Sequence, residues 1–393
     1  MNSLDVTSDL HISIQSLRER GHILLELGYY DTAENMINES FEIFAIIRND
    51  KDEIENIKAD IMHTSGNLLS HKGDFQNALN YWEESLAIKI KQGKIIDQAN
   101  LQNNIAIYHF IVEEYDKALE YFFDAFTLIQ PFKIKKTMTG ILLNIGDTYF
   151  HAGDIDKALQ YVHQSLEITD NTSLDYIKSN CYLSLIQYYL ILNNLSQISL
   201  YYANLLELAS TIDSAYIQLF EKYAKALILK SSNLENDKQN AKQLFQQLQE
   251  LSSFDFQLLS SVVLNLVDIL LDELYQFDDC EKLETLTSLM DELYEDAQAK
   301  QLFHFMIDAL VLKSKVVALN NQIEDSQFLM EQALMIAEDN KFNALKEKIV
   351  SEQIKLKEKI KECHDFHNKY FTLRERMDLC NIRSYVKSEL NHI

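Results

Sequence analysis

Residues Gly146–Leu166 read GDTYFHAGDIDKALQYVHQSL, and the same pattern returns up and down the chain at a fixed interval. Gly153, Ala158 and Tyr161 have counterparts at Gly73, Ala78 and Tyr81; the spacing of 80 is twice 40, and Glu113, Ala118 and Tyr121 supply the step between. One more step of 40 gives Asn193, Ile198 and Tyr201. Self-similarity at this length marks stacked supersecondary units, each too small to bury its own apolar face. An earlier copy, Gly21, Gly28, Tyr30 and Ala33, keeps the mutual spacings of Gly66, Gly73, Phe75 and Ala78 at an offset of 45. The longer stretch around Arg48 to Glu55 accounts for the difference, and extra residues belong in an inter-repeat loop.

Composition agrees with a helical array. Of 393 residues 47% are hydrophobic, which is ample for a core, while Pro131 is the single proline and glycine numbers 8. Gly and Pro are the residues most costly in helix interiors, so their depletion fits helices with short joints. The formal charge of −24 repels phosphate backbones and argues against nucleic acid as a partner. It fits either a soluble, self-repelling surface or a preference for basic partners.

Cys181, Cys280, Cys363 and Cys380 form no CxxC pair, as expected of thiols in a reducing compartment rather than of a disulfide framework or metal site. MNSLDVTSDLHISIQ lacks the basic region and apolar core of a secretory signal. No run approaches the roughly 20 apolar residues that span a bilayer. These features point to a cytoplasmic protein without membrane insertion.

Gly66, Gly73, Phe75, Ala78, Trp82 and Leu86, then Ala106, Tyr115, Ala118 and Phe122, then Gly146, Tyr149, Gly153, Ile155, Ala158 and Leu166 resemble the tetratricopeptide repeat. The likeness covers residues 15 to 210 and implies two antiparallel helices per unit. Small residues at Gly66, Ala106 and Gly146 on the first helix, and at Ala78, Ala118 and Ala158 on the second, let paired helices approach closely. Phe75, Tyr115, Trp82 and Phe122 are expected to fill the space to the next unit. The period of 40 departs from the commoner 34 and the proline after the second helix is missing, as in long-repeat arrays resembling kinesin light chains and spindle-orientation adaptors. That resemblance implies a groove for an extended peptide.

The remaining chain divides less regularly. Residues 1–9 are expected to be a loose leader ending in a helix cap at Ser8 or Asp9, and 10–213 the regular array of about five repeats. Residues 214–340 hold divergent pairs: FEKYAKALILKSS with NDKQNAKQLFQQLQEL, SSVVLNLVDILLDELY with CEKLETLTSLMDELYEDAQ, and LFHFMIDALVLKSKVVALNNQ with IEDSQFLMEQALMIAEDN. This half, with the ending TLRERMDLCNIRSYVKSEL, is similar to tetratricopeptide proteins encoded in Asgard archaea. Residues 341–393 begin with a charge-laced helix carrying Ile349, Ile354, Leu356 and Ile360, expected either to cap the stack or to dock a partner. The fold class is therefore all-α: a right-handed α-solenoid of about eight helix pairs.

No nucleotide-binding glycine loop, nucleophile elbow or HExxH motif occurs, so neither an enzyme nor a cofactor is expected. Asp272 with Glu273, and Asp278 with Asp279, read as solvated turns or helix caps. His63 and His71 lie about 12 Å apart along a helix, too far to share a metal. In the long-repeat families, an asparagine two residues before the small residue hydrogen-bonds the bound peptide's backbone. Asn104 and Asn144 match that offset, Thr64 and Ser184 occupy it in the flanking repeats, and Asn103 adjoins Asn104. An amide offers donors and an acceptor together, as an extended backbone does; the alternative role is helix packing.

One turn further on, Asn67, Ile107, Asp147 and Gln187 are expected to face the same groove, with Phe110, Phe150, His151 and Leu190. No Lys or Arg stands among them, which argues against the carboxylate clamp of chaperone-binding tetratricopeptide domains. Tyr188, Tyr189, Tyr201 and Tyr202 divide between core packing and exposure. The expected function is a non-catalytic scaffold that binds a peptide or protein; the alternative is a ligand-gated regulator. Self-association through the end repeats is compatible with both.

Overall fold

The computed structural model describes residues 3–390 except 27–29, 47–50, 73, 170–171, 252–255, 278–280, 301, 321 and 363–371. Among the described residues every regular element is helical. Contacts divide the chain into two compact units, Met1–Ile141 with Lys300–Leu302, and Leu142–Ala299 with Phe303–Ile393.

The first unit holds α1 (Ser3–Glu26), α2 (Tyr30–Ile46), α3 (Lys51–His71), α4 (Phe75–Lys91), α5 (Ile95–Ile111) and α6 (Tyr115–Ile129), packed as successive pairs. Helix α7 (Lys135–His151) crosses the division. In the second unit follow α8 (Ile155–Thr169), α9 (Asp175–Ile191), α10 (Leu195–Thr211), α11 (Ala215–Lys230), α12 (Glu235–Leu251), α13 (Phe256–Phe277), α14 (Glu281–Ala299), α15 (Phe303–Leu319) and α16 (Ile323–Asp339). Among the described residues the three divergent stretches are helical, and α11 contacts α12, α13 contacts α14 and α15 contacts α16. The chain ends in α17 (Asn343–Glu362), α18 (Leu373–Leu379) and α19 (Ile382–Leu390).

The period of 40 has a simple origin. Helices α5 and α6 take 17 and 15 residues; a three-residue turn at 112–114 and a five-residue joint at 130–134 complete the unit. The turns reveal why the repeat's glycine position recurs. Glu113, Gly153 and Asn193 all have positive φ, at 60°, 85° and 52°. The next amide in each case reaches back five residues, Glu114 to the His109 carbonyl at 2.8 Å, Asp154 to Tyr149 at 2.8 Å and Asn194 to Tyr189 at 3.0 Å. This is the left-handed helix ending that satisfies orphan carbonyls and reverses the chain. Asp74, Asp154 and Asn194 then cap the following helix, accepting from the amides of Asn77, Lys157 and Gln197.

The small residues do the packing expected of them. A Cβ on Gly66 would lie 2.5 Å from Nε1 of the buried Trp82, and one on Gly146 would lie 2.6 Å from a Val162 methyl and 3.2 Å from the Ala158 carbonyl. Ala78, Ala106, Ala118 and Ala158 have no exposed surface. Phe75, Trp82 and Phe122 are buried, while Tyr115 keeps partial exposure.

Several expectations are corrected. Helix α1 begins at Ser3, so a cap at Ser8 or Asp9 does not exist and residues 3–9 are helical. Helix α3 begins at Lys51, which places Lys51–Glu55 inside a helix rather than in a loop. Asp272 and Glu273 lie within α13, not in a turn: Glu273 is buried against Lys242 (2.8 Å) and Lys282 (2.9 Å), and Asp272 pairs with Arg383 (2.6 Å). Gly28, Gly73, Asp278, Asp279, Cys280 and Cys363 lie outside the described residues.

Candidate functional site

In the first unit α3 and α5 are joined by a line of polar side chains. The Asn104 amide nitrogen donates to Asn67 Oδ1 at 2.8 Å and lies 3.1 Å from His63 Nε2. Trp82 Nε1 donates to the same Asn67 oxygen at 2.9 Å. Burial lowers the His63 pKa to about 4, with Asp97 opposing, so the ring is neutral at pH 7 and its Nε2 can accept. The Asn104 nitrogen and Asn67 oxygen are thereby occupied. Asn104 Oδ1 and Asn67 Nδ2, on residues that keep partial exposure, remain without hydrogen-bond partners among the described residues. One acceptor and one donor therefore stand side by side, fixed by the bond between their amides.

In the same unit, Lys89 of α4 is 1% exposed and joins Asp60 (2.5 Å), Asn56 (2.8 Å) and Asp97 (3.1 Å). Neither His63 in this role nor Lys89 was singled out by sequence spacing, because their partners come from other helices. Thr64 is buried and donates to the Asp60 carbonyl at 3.1 Å, so its hydroxyl faces its own helix rather than a groove. Asn103, Ile107 and Phe110 keep partial exposure, with Phe110 against Tyr115 at 5.9 Å.

The second unit repeats the link with different chemistry. Tyr188 and Ser184 of α9 both donate to Asp147 Oδ1 of α7, at 2.5 and 3.1 Å. Asp147 Oδ2 has no hydrogen-bond partner among the described residues. Burial pushes the Asp147 pKa up to about 6, against the bonds from Tyr188 and Ser184, which favour the ionised form. Phe150 is buried and stacks on Tyr188, ring centres 4.4 Å apart, and Gln187 remains partly exposed with no side-chain hydrogen bond among the described residues. Asn144 sits one turn before Asp147 and its carbonyl accepts from Thr148 at 2.6 Å.

Ser184 is buried, so it supports Asp147 and is not an exposed contact. Of the four tyrosines, Tyr188 and Tyr201 are buried, Tyr189 stacks on Tyr201 at 5.8 Å, and Tyr202 donates to Glu221 at 2.6 Å. Burial pushes the Cys181 thiol up to about 12, against its hydrogen bond to Ser165, and so disfavours the thiolate. Among the described residues no group of His, Cys, Asp and Glu is arranged to hold a metal, and no helix is long and apolar enough to cross a membrane.

Paired helices at a fixed period, close-packed through small residues and tied laterally by side chains of successive first helices, define a tetratricopeptide-type repeat protein. Residues 29–345 match the MalT-like TPR region, and the chain belongs to that family.

Solved structures share the fold. A Rap protein complexed with Competence and Sporulation Factor aligns at a TM-score of 0.59 and 13% identity, covering 96% of this chain and 98% of that one. The apo quorum sensor NprR from B. thuringiensis aligns at 0.54 and 14% identity over 82% and 87% of the two chains. NprR in complex with its cognate peptide NprX aligns at 0.55 and 14% identity over 81% and 86%. No curated protein sequence matches the chain.

Proposed function

We propose that the protein is a non-catalytic interaction scaffold that binds extended peptide segments on the polar faces of its first helices: Asn67, Asn103, Asn104 and Phe110 in the first unit, and Asn144, Asp147 and Gln187 in the second, where Phe150 is buried against Tyr188 and supports the face from beneath. The observation that carries this reading is the unpartnered pair Asn104 Oδ1 and Asn67 Nδ2, one acceptor beside one donor on partly exposed residues. A peptide backbone presents the complementary pair, and two fixed amides bind it without first having to be ordered. The complex of NprR with its cognate peptide NprX and that of Rap with Competence and Sporulation Factor, proteins that share the fold, support the reading. The net charge of −24 makes basic segments better partners than nucleic acid.

The test is affinity for a peptide selected from a random library on the wild-type chain. Asn104→Ala combined with Asn144→Ala should weaken the complex by more than about 1 kcal/mol. Unchanged affinity in a folded double mutant would sink the proposal.

A ligand-gated regulator is the second reading, favoured by the likeness to a quorum sensor in both apo and peptide-bound forms. It requires the selected peptide to change the radius of gyration in small-angle scattering; a scaffold keeps its radius.

A further inference from the structure

Helices α13 and α15 are buried nearly all round: residues 258–271 of α13, and 306–307, 309–312 and 314–319 of α15, are all enclosed. A helix without a solvent face needs cover on every side. Neighbouring repeats supply part of it, and the chain's own C-terminus supplies the rest. Helix α18 packs on α13, α15 and α17, and α19 on α13 and α15. With seven and nine residues these helices are too short to persist alone, so docking holds them helical.

The seam is apolar at its centre and cationic along its length. Leu373, Met377, Ile382, Tyr385 and Val386 are buried in it. Arg383 donates to Asp272 Oδ1 at 2.6 Å and lies over the Tyr275 ring at 4.3 Å. Arg374 reaches the Gln276 carbonyl at 2.6 Å over the same ring, and Arg376 donates to the Leu319 carbonyl. Gln276 and Leu319 lie in the last turns of α13 and α15, where carbonyls lack intrahelical donors and the helix dipole is negative. Two helix ends, a carboxylate and a tyrosine face thus read guanidinium groups.

The resident fits imperfectly. Arg376 Nε and Arg383 Nε are buried with no hydrogen-bond partner, each an uncompensated loss of hydration.

We infer that the face of α13, α15 and α17 is an arginine-reading helix-docking surface, that the α18–α19 hairpin is its displaceable resident, and that its partner is a short amphipathic helix bearing arginines beside an apolar stripe. The inference is independent of the asparagine faces.

The probe is a fluorescent synthetic peptide of residues 372–390, measured by polarisation against the full chain under reducing conditions. A chain whose own hairpin is weakened, Arg383→Glu with Val386→Asp, should bind the probe at least tenfold more tightly than wild type. Adding Asp272→Arg should abolish the gain. Equal or absent binding by wild type and the weakened chain, both with native helix content, overturns the inference.

Should the weakened chain fail to fold, hydrogen exchange on the wild type decides. Amides of α19 exchanging at least a hundredfold faster than those of α13 support displacement, and exchange in step with α13 overturns it. A concentration-dependent doubling of mass that needs both Arg383 and Asp272 assigns the surface to a second copy and overturns the external partner.

Discussion

At pH 7 the Asp147 carboxylate is ionised in a site that disfavours its charge. Its folded pKa of about 6 stands above the ordinary carboxylate value of 3.8. Between those pH values the folded chain binds more protons than the unfolded one, so this group destabilises the fold as the pH rises through the window, and its effect is complete above pH 6. Asp147→Asn keeps an oxygen for Tyr188 and Ser184 and removes the charge. It should raise stability at pH 7 by on the order of 1–3 kcal/mol, with the gain shrinking as the pH falls toward 4. His63 and His304, depressed by burial to about 4 and about 3, act in the opposite sense and destabilise the fold as the pH falls below 6.5. Urea midpoints of mutant against wild type at each pH therefore isolate Asp147 better than the raw profile. A gain independent of pH would show that the buried charge is not its cause.

Helix α7 contains a built-in contrast between two glycines. A Cβ at Gly146 would collide with Val162 and crowd the Ala158 carbonyl, whereas one at Gly140 would meet nothing within 4 Å. Gly146→Ala should destabilise the chain by about 1–2 kcal/mol, overpacking outweighing the gain in helix propensity. Gly140→Ala should stabilise it by about 0.5–1 kcal/mol. Thermal melts of the two single mutants decide, and the same sign in both would refute the packing role of Gly146. At the following turn, Gly153→Ala meets no neighbour but must hold φ at 85°, so a loss of about 1 kcal/mol there is purely conformational.

These elements were the legible part of the sequence. Gly66, Ala106 and Gly146, and the turn positions Glu113, Gly153 and Asn193, recur because each unit meets the same local geometry. The C-terminal half was legible as helices but not as an arrangement. The partner of Asp272 lies 111 residues away and Glu273 is held by Lys242, 31 residues away, as well as by Lys282 on the next helix, and an arginine facing a carbonyl end looks in sequence like one facing water. The register that brings Asn104 to Asn67 and Ser184 to Asp147 was legible as a spacing. Their chemistry was not, since whether Asn104 and Ser184 face a ligand or a neighbouring helix depends on what the next repeat places opposite them.

Across the chain one lateral device recurs with changing chemistry. A side chain on one first helix meets its partner on the next at nearly constant separation: Asn67 with Asn104 and Asp147 with Ser184, both 37 residues apart, then Lys230 with Asp268 at 2.6 Å and Lys315 with Glu352 at 2.6 Å, the latter also 37 apart. In a repeat array stability is a sum of unit and interface terms, so each link ties one interface. The most buried link gives the sharpest test. Lys315 is 2% exposed and its ammonium also lies 4.6 Å from the Tyr385 ring of α19. Glu352→Gln strands that charge and should cost about 3–5 kcal/mol, whereas Lys315→Met with Glu352→Leu should recover most of the loss. The single mutant should also loosen α17 and α19 before the rest, so that unfolding followed at Trp82 and by circular dichroism no longer coincides. Coincident transitions with a small loss would mean that the link aligns neighbouring repeats without holding them together.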